Sequence, residues 1–203
     1  MNTQQPKRCN WCGTDPLYCD YHDHEWGIPL YDSQKLFELL ILEGAQAGLS
    51  WITVLRKREN YRAAFDNFNP EKIARYTPAK IEKLMLNEGI IRNRLKIEST
   101  IKNAKAYLAM HQDGEIFSKF LWGFVDGKPI QNKLRSLADA KSSTEISDAM
   151  SKALKKKGFN FVGSTICYAF MQAAGMVNDH LVDCVSYQHC KVLGEEINRN
   201  GLG

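Results

Sequence analysis

Residues 33–44, SQKLFELLILEG, place Leu36, Phe37, Leu39, Leu40, Ile41 and Leu42 around almost the whole circumference of a helix. A helix of that kind has no face to give to water, so other elements must wrap it on all sides. That requires a sizeable core, and 203 residues suit one domain, or a domain with a small lobe packed on it. The rest of the chain is therefore read as the wrapping.

The wrapping reads as helical, and the expected class is all-α. Gly44 and Gly48 are expected to interrupt the central helix, with a second helix from Ser50 toward Phe65. Asn69–Pro70 and Thr77–Pro78 each pair a capping side chain with a proline at the first helical position. Ile97, Ile101, Ala104 and Leu108 form one stripe at helical spacing. Asp-Gly turns at 113–114 and 126–127 bracket IFSKFLWGFV, and residues 128–143 read as polar and irregular. A helix through Met150 and Leu154 then ends at Gly158, and STICYAFMQAAG forms the last strong one. Valines and threonines never alternate over a strand's length, so no sheet is expected. The domain should span 8–187, with flexible tails at 1–7 and 188–203. No run of about 18 apolar residues occurs, and the N-terminus lacks a charged-then-apolar leader, which predicts a cytoplasmic protein with no membrane partner.

Within that frame YCDYHDHEWG, residues 18–27, is anomalous. It crowds three aromatics, two histidines, a cysteine and three carboxylates together, too polar for a core and too aromatic for a solvated loop. Six cysteines in a cytosolic chain are not a disulfide framework, and five of them lie near the chain's two ends with histidines close by, which suggests metal. In HLVDC, His180 and Cys184 are one helical turn apart. Together with Cys9 and His22 they would make a closed tetrahedral zinc site, structural because no position remains for water. The Cys9–Cys12 pair, His24, His189 and Cys190 are competing ligands by spacing.

The net charge of +4 is modest, but RKRENYR at 56–62, RNRLK at 92–96 and KKK at 155–157 concentrate it, favouring a polyanionic partner. Residues 147–175 read as two helices joined by a short turn. The first N–H groups of the second helix, near Ser164, lack intrahelical partners and carry the positive end of the dipole, so with Lys157 close by the turn can hold a phosphate. The segment resembles the helix-hairpin-helix of DNA glycosylases. Phe161, Val162, Gly163, Ser164 and Thr165 occupy the matching places, while Asn160 stands where a first hairpin glycine is usual.

Taken together, CNW, DPLY and YHDHEWG, then LFELLILEGAQAGLSWITVLRKRENYRAAF, GIIRNRLKI and KALKKKGFNFVGSTICYAFMQAAGMVNDHLVDC, resemble the constitutive type I 3-methyladenine DNA glycosylases over about residues 8–187. The resemblance implies a helix-hairpin-helix glycosylase fold whose N- and C-terminal segments are joined by one structural zinc on Cys9, His22, His180 and Cys184. It implies a base pocket of Tyr18, Tyr21, Trp51, Trp11 and Trp26 with Glu43 as the catalytic carboxylate. It places Gln46, Gly48 and Leu49 in the loop that enters DNA, beside Gly163, Ser164, Thr165 and Lys157. The implied reaction is hydrolysis of the N-glycosidic bond of 3-methyladenine in double-stranded alkylated DNA by a monomer, releasing the base and leaving an abasic site without strand cleavage. A methylated adenine still bonded to its sugar is cationic, and ring faces attract a cation by about 0.5–2 kcal/mol per contact. The rival readings are a non-enzymatic zinc-stabilised DNA-binding protein and a zinc hydrolase.

Overall fold

The computed structural model describes residues 7–200, so residues 1–6 of the expected tail at 1–7, and residues 201–203, lie outside the described residues. The helices are α1 (Pro16–His24), α2 (Ser33–Gln46), α3 (Trp51–Leu55), α4 (Arg58–Ala64), α5 (Pro70–Ile73), α6 (Pro78–Met85), α7 (Arg94–Gln112) and α8 (Phe117–Trp122). After them come α9 (Glu145–Lys156), α10 (Ser164–Ala173) and α11 (Val185–Asn200).

Helix α2 is the axis that its composition demands. Leu36, Phe37, Leu40 and Leu42 are buried, and α2 packs against α3, α7, α8 and α10. Each such side chain taken from water contributes about 1.5–3 kcal/mol. Asp32 caps its start by accepting from the Lys35 N–H at 2.8 Å. Gly44 does not interrupt it. The helix runs through Gly44, and a Cβ there would stand 3.2 Å from Cβ of Phe161, so the glycine makes room for a neighbour rather than a bend. The break falls at Gly48, whose φ of +79° suits only glycine without strain.

The caps at Asn69 and Thr77 form as their sequences require, accepting from the N–H groups of Lys72 and Lys80. The single helix expected from Ser50 is two. It kinks at Lys57, which donates from Nζ to the Glu88 carbonyl at 2.7 Å, while Arg58 turns back to the Glu25 carboxylate. In α7 the stripe packs as expected, with Ile97, Ile101 and Ala104 buried and Leu108 half-buried.

Two further expectations are corrected. A two-residue parallel ladder joins β1 (Ile130–Gln131) to β2 (Val177–Asn178). It is too short to leave any alternation in sequence, yet it fixes the chain just before Asp179. Residues 188–200 are not a flexible tail: α11 carries Cys190 into a buried position and sets Gly194 against Pro129. No helix among the described residues is long and apolar enough to cross a membrane.

Candidate active site

Cys9, His22, His180 and Cys184 are all buried, and one ligand atom from each lies within 4.8 Å of the others. Sγ of Cys184 is 3.4 Å from Nε2 of His22 and 3.5 Å from Nδ1 of His180, and Sγ of Cys9 is 3.7 Å from the same Nδ1. A tetrahedral zinc with bonds of about 2.3 Å to sulfur and 2.0–2.1 Å to nitrogen separates such donors by about 3.5–3.6 Å. The four residues thus fit a metal in spacing and in chemistry. The outer atoms fit as well. Nδ1 of His22 is 2.8 Å from Oδ1 of Asp23, and Nε2 of His180 is 2.9 Å from the Trp26 carbonyl. Ligating imidazoles are oriented in this way by a carboxylate or a carbonyl on the far nitrogen. Arg8 grips Asp23 through both carboxylate oxygens and holds its carboxyl below the usual range. Of the competing residues, His24 is exposed and bonds to Asp20, and Cys12 turns its thiol to the Cys9 carbonyl.

A chain of rings leads from this cluster into a cavity. The His180 ring meets Trp26 edge-on at 4.7 Å, Trp26 meets Trp11 at 4.9 Å, and Trp11 meets Tyr18 at 5.0 Å. The cavity, about 220 Å³, is lined by all six residues expected of a base pocket: Trp11, Tyr18, Tyr21, Trp26, Trp51 and Glu43. Gln46 completes this side. The remaining lining, Leu134, Leu137, Ala140, Ala169, Gln172 and Asp179, is one that the sequence did not reveal. Leu134 and Leu137 come from a stretch with no periodicity. Asp179 had a signal, its place after the paired helices, but nothing distinguished it from Asp183.

Glu43 is buried, and burial alone pushes its carboxyl up to about 8. No ion pair reaches it among the described residues; the nearby guanidinium groups of Arg58 and Arg62 belong to Glu25, and to Glu38 and Glu59. Two donors beside it are unmatched: the Tyr21 hydroxyl and Nε1 of Trp51 are buried without a partner, with their rings 5.5 Å apart. An unpartnered buried donor costs about 1–3 kcal/mol. A carboxylate and two unmatched donors around one cavity are complementary to a flat, polar, electron-poor ligand. Asp179, by contrast, is fully engaged: it accepts from Asn132 at 2.6 Å, Tyr168 at 2.7 Å and Gln172 at 2.8 Å.

Just after Gln46, which lines the cavity, Gly48 and Leu49 are exposed. Lys96 holds this end of α2 by donating to the carbonyls of Ala45 and Ala47 at 2.8 and 2.7 Å. The turn between α9 and α10 is held from beneath. Ser151 donates to the Val162 carbonyl at 2.6 Å, and Asn103 bonds both the N–H and the carbonyl of Asn160. Gly158, φ +94°, and Phe161, φ +54°, are the left-handed residues of this turn, and a bulky residue in that region is a strained outlier. Gly163 supplies no side-chain cap, so the N–H groups of Ser164 and Thr165 open α10 without one. Lys157 is turned to Glu115 in an ion pair rather than left free for a phosphate. The clusters at 56–62 and 92–96 are likewise absorbed: Arg56, Arg58, Arg62, Arg92 and Arg94 all pair with acids.

A family model described as methyladenine glycosylase matches residues 11–187. The chain is 59% identical over 177 residues to DNA-3-methyladenine glycosylase of Haemophilus influenzae, covering 87% of this chain and 96% of that protein. It is 57% identical over 181 residues to DNA-3-methyladenine glycosylase 1 of Escherichia coli, covering 89% and 97%. A solved structure of 3-methyladenine DNA glycosylase I from Staphylococcus aureus, described as the structural basis of 3-methyladenine recognition, superposes with a TM-score of 0.86 at 43% identity, covering 89% of this chain and 98% of that one.

Proposed function

Because the chain belongs to the methyladenine glycosylase family, we propose that its cavity receives 3-methyladenine swung out of alkylated DNA and that Glu43 is the residue on which release depends. The protein is a base-excision glycosylase, a hydrolase of N-glycosyl bonds. The observation that carries the role of Glu43 is its position, buried in the wall of a ring-lined cavity with no cation of its own.

A glycosidic bond inside a duplex is out of reach until the nucleotide leaves the stack. Exposed Leu49 would fill the space it vacates, with Gln46 and Gly48 forming the loop. The start of α10, at Gly163, Ser164 and Thr165, would hold a backbone phosphate on its unpaired N–H groups. In the cavity the cationic base meets ring faces and a carboxylate. Those contacts stabilise the charge before cleavage and hold the leaving base in place while its bond to the sugar breaks. The bonding pair departs with the base, the sugar becomes oxocarbenium-like, and water adds to it, leaving an abasic site. No lysine stands in the cavity wall to form a covalent link to the sugar, in keeping with hydrolysis alone.

Cys9, His22, His180 and Cys184 would hold one zinc ion. It would serve as a tether between the two ends of the chain, since four protein ligands leave no open position. The paired helices α9 and α10 read best as a helix-hairpin-helix, within one glycosylase domain acting as a monomer on double-stranded DNA. The test is release of free 3-methyladenine from methylated duplex DNA. Protein that binds the duplex and liberates no base would be the non-enzymatic binder instead.

A further inference from the structure

Beside the base cavity, and sharing Leu134 with it, lies a recess of about 380 Å³ lined by Lys133, Arg135, Lys141, Asp139, Thr144 and Tyr168. Its three cations are not ion-paired among the described residues, unlike the arginines of 56–62 and 92–94. Its one acid is spent locally, with Oδ2 of Asp139 accepting from the N–H groups of Arg135 and Ser136. The acids of the first turn of α9, Glu145 and Asp148, do not line it.

Position gives this charge a meaning. Tyr168 is one turn along α10 from Ser164, and Thr144 caps α9. Ser147 of α9 is in turn 2.9 Å from Ser164 at the start of α10. The recess therefore continues the surface that begins at the α9–α10 turn and borders the cavity at Leu134. A duplex whose extruded nucleotide enters the cavity, and whose backbone lies on the start of α10, would bring neighbouring phosphates close to this place, which adjoins both. We infer that Lys133, Arg135 and Lys141 form a second contact for the DNA backbone, taking phosphodiester oxygens next to the extruded nucleotide. This rests on the function proposed above. Phosphate contacts of this kind position the duplex without reading its sequence.

The test is the salt dependence of binding of the full chain to a short unmodified duplex, for the wild type and for K133Q/R135Q/K141Q. Each phosphate neutralised contributes about 0.9 to the slope of log K against log salt. The triple variant should therefore lose at least about one unit of slope, with the charge-keeping K133R/R135K/K141R variant retaining it. Binding of free 3-methyladenine, followed by quenching of the cavity tryptophans, should be the same in all three. An unchanged slope in the glutamine variant, or an equal loss in the charge-keeping one, overturns the contact. Failure of the wild type to bind free 3-methyladenine would instead overturn the proposed function and leave the slope measurement standing as a separate result.

Discussion

Asn103 of α7 holds the backbone of Asn160 at two points: its Oδ1 accepts from the Asn160 N–H at 2.7 Å, and its Nδ2 donates to the Asn160 carbonyl at 3.0 Å. Asn103 is buried, and the residue after Asn160 is the strained Phe161, so this one amide keeps the α9–α10 turn in shape. Replacing Asn103 with Ala leaves both backbone groups without their partner. The expected cost is about 2–4 kcal/mol in unfolding free energy by urea titration. Duplex affinity should fall by more than affinity for free 3-methyladenine, because the turn relaxes and the cavity does not.

Glu43→Gln separates binding of the charged base from stability. In the unliganded protein the Glu43 carboxyl titrates at about 8 against an ordinary 4.5. A raised carboxyl makes no difference to stability below its unfolded value, then costs stability as pH rises from about 4.5 to about 8, since only the unfolded chain can ionise freely. The variant lacks this penalty, so its Tm should match the wild type near pH 4.5 and exceed it at pH 8, by the equivalent of roughly 2–4 kcal/mol. Base release should meanwhile drop by at least about 100-fold. A Tm difference that does not change with pH would show that Glu43 is not buried as a carboxylate in solution.

Tyr21→Phe removes one unmatched donor and almost no volume. Thermal unfolding should be unchanged or slightly raised, because deleting an unsatisfied polar group relieves a penalty. Release of 3-methyladenine should slow by about 10-fold, the equivalent of one ordinary hydrogen bond to the base. A clear fall in Tm would mean that the hydroxyl has a partner in the free protein.

For Cys184→Ala, bound metal by elemental analysis should fall from one zinc per chain to far below one. Stability should fall by several kcal/mol, since removing a ligand forfeits binding energy that is also folding energy. Near-ultraviolet circular dichroism should change with it, because Trp26 and Trp11 pack in series on the His180 ring. Equal stability with and without the metal would remove its role as a tether.

Much of the site was legible because its residues are expensive anywhere else. An acidic side chain on an otherwise apolar helix marks Glu43, and rings mixed with histidines mark residues 18–27. Residue type and the spacing of His180 and Cys184 suggested a metal but left Cys12, His24, His189 and Cys190 in competition, and it was the family resemblance that singled out Cys9, His22, His180 and Cys184. Central helix and caps were legible for similar local reasons. What stayed hidden is decided at a distance. That Gly44 is a packing glycine rather than a break shows only against Phe161, more than a hundred residues later. The β1–β2 ladder is two residues long and has no pattern to read. Leu134 and Leu137 reach the cavity from an irregular stretch placed by that ladder. The pairing of the basic clusters was hidden too, since Glu25, Glu38 and Glu115, which engage Arg58, Arg62 and Lys157, are remote in sequence.

Cys9 and His180 are 171 positions apart and meet at the same four-residue centre. During synthesis, Trp11 and Trp26 emerge long before His180, the ring on which Trp26 packs. A nascent chain therefore has no finished cavity until Asp179 and His180 are out. Fragments cut short by stalled translation would lack the ability to occupy a lesion that they could not repair.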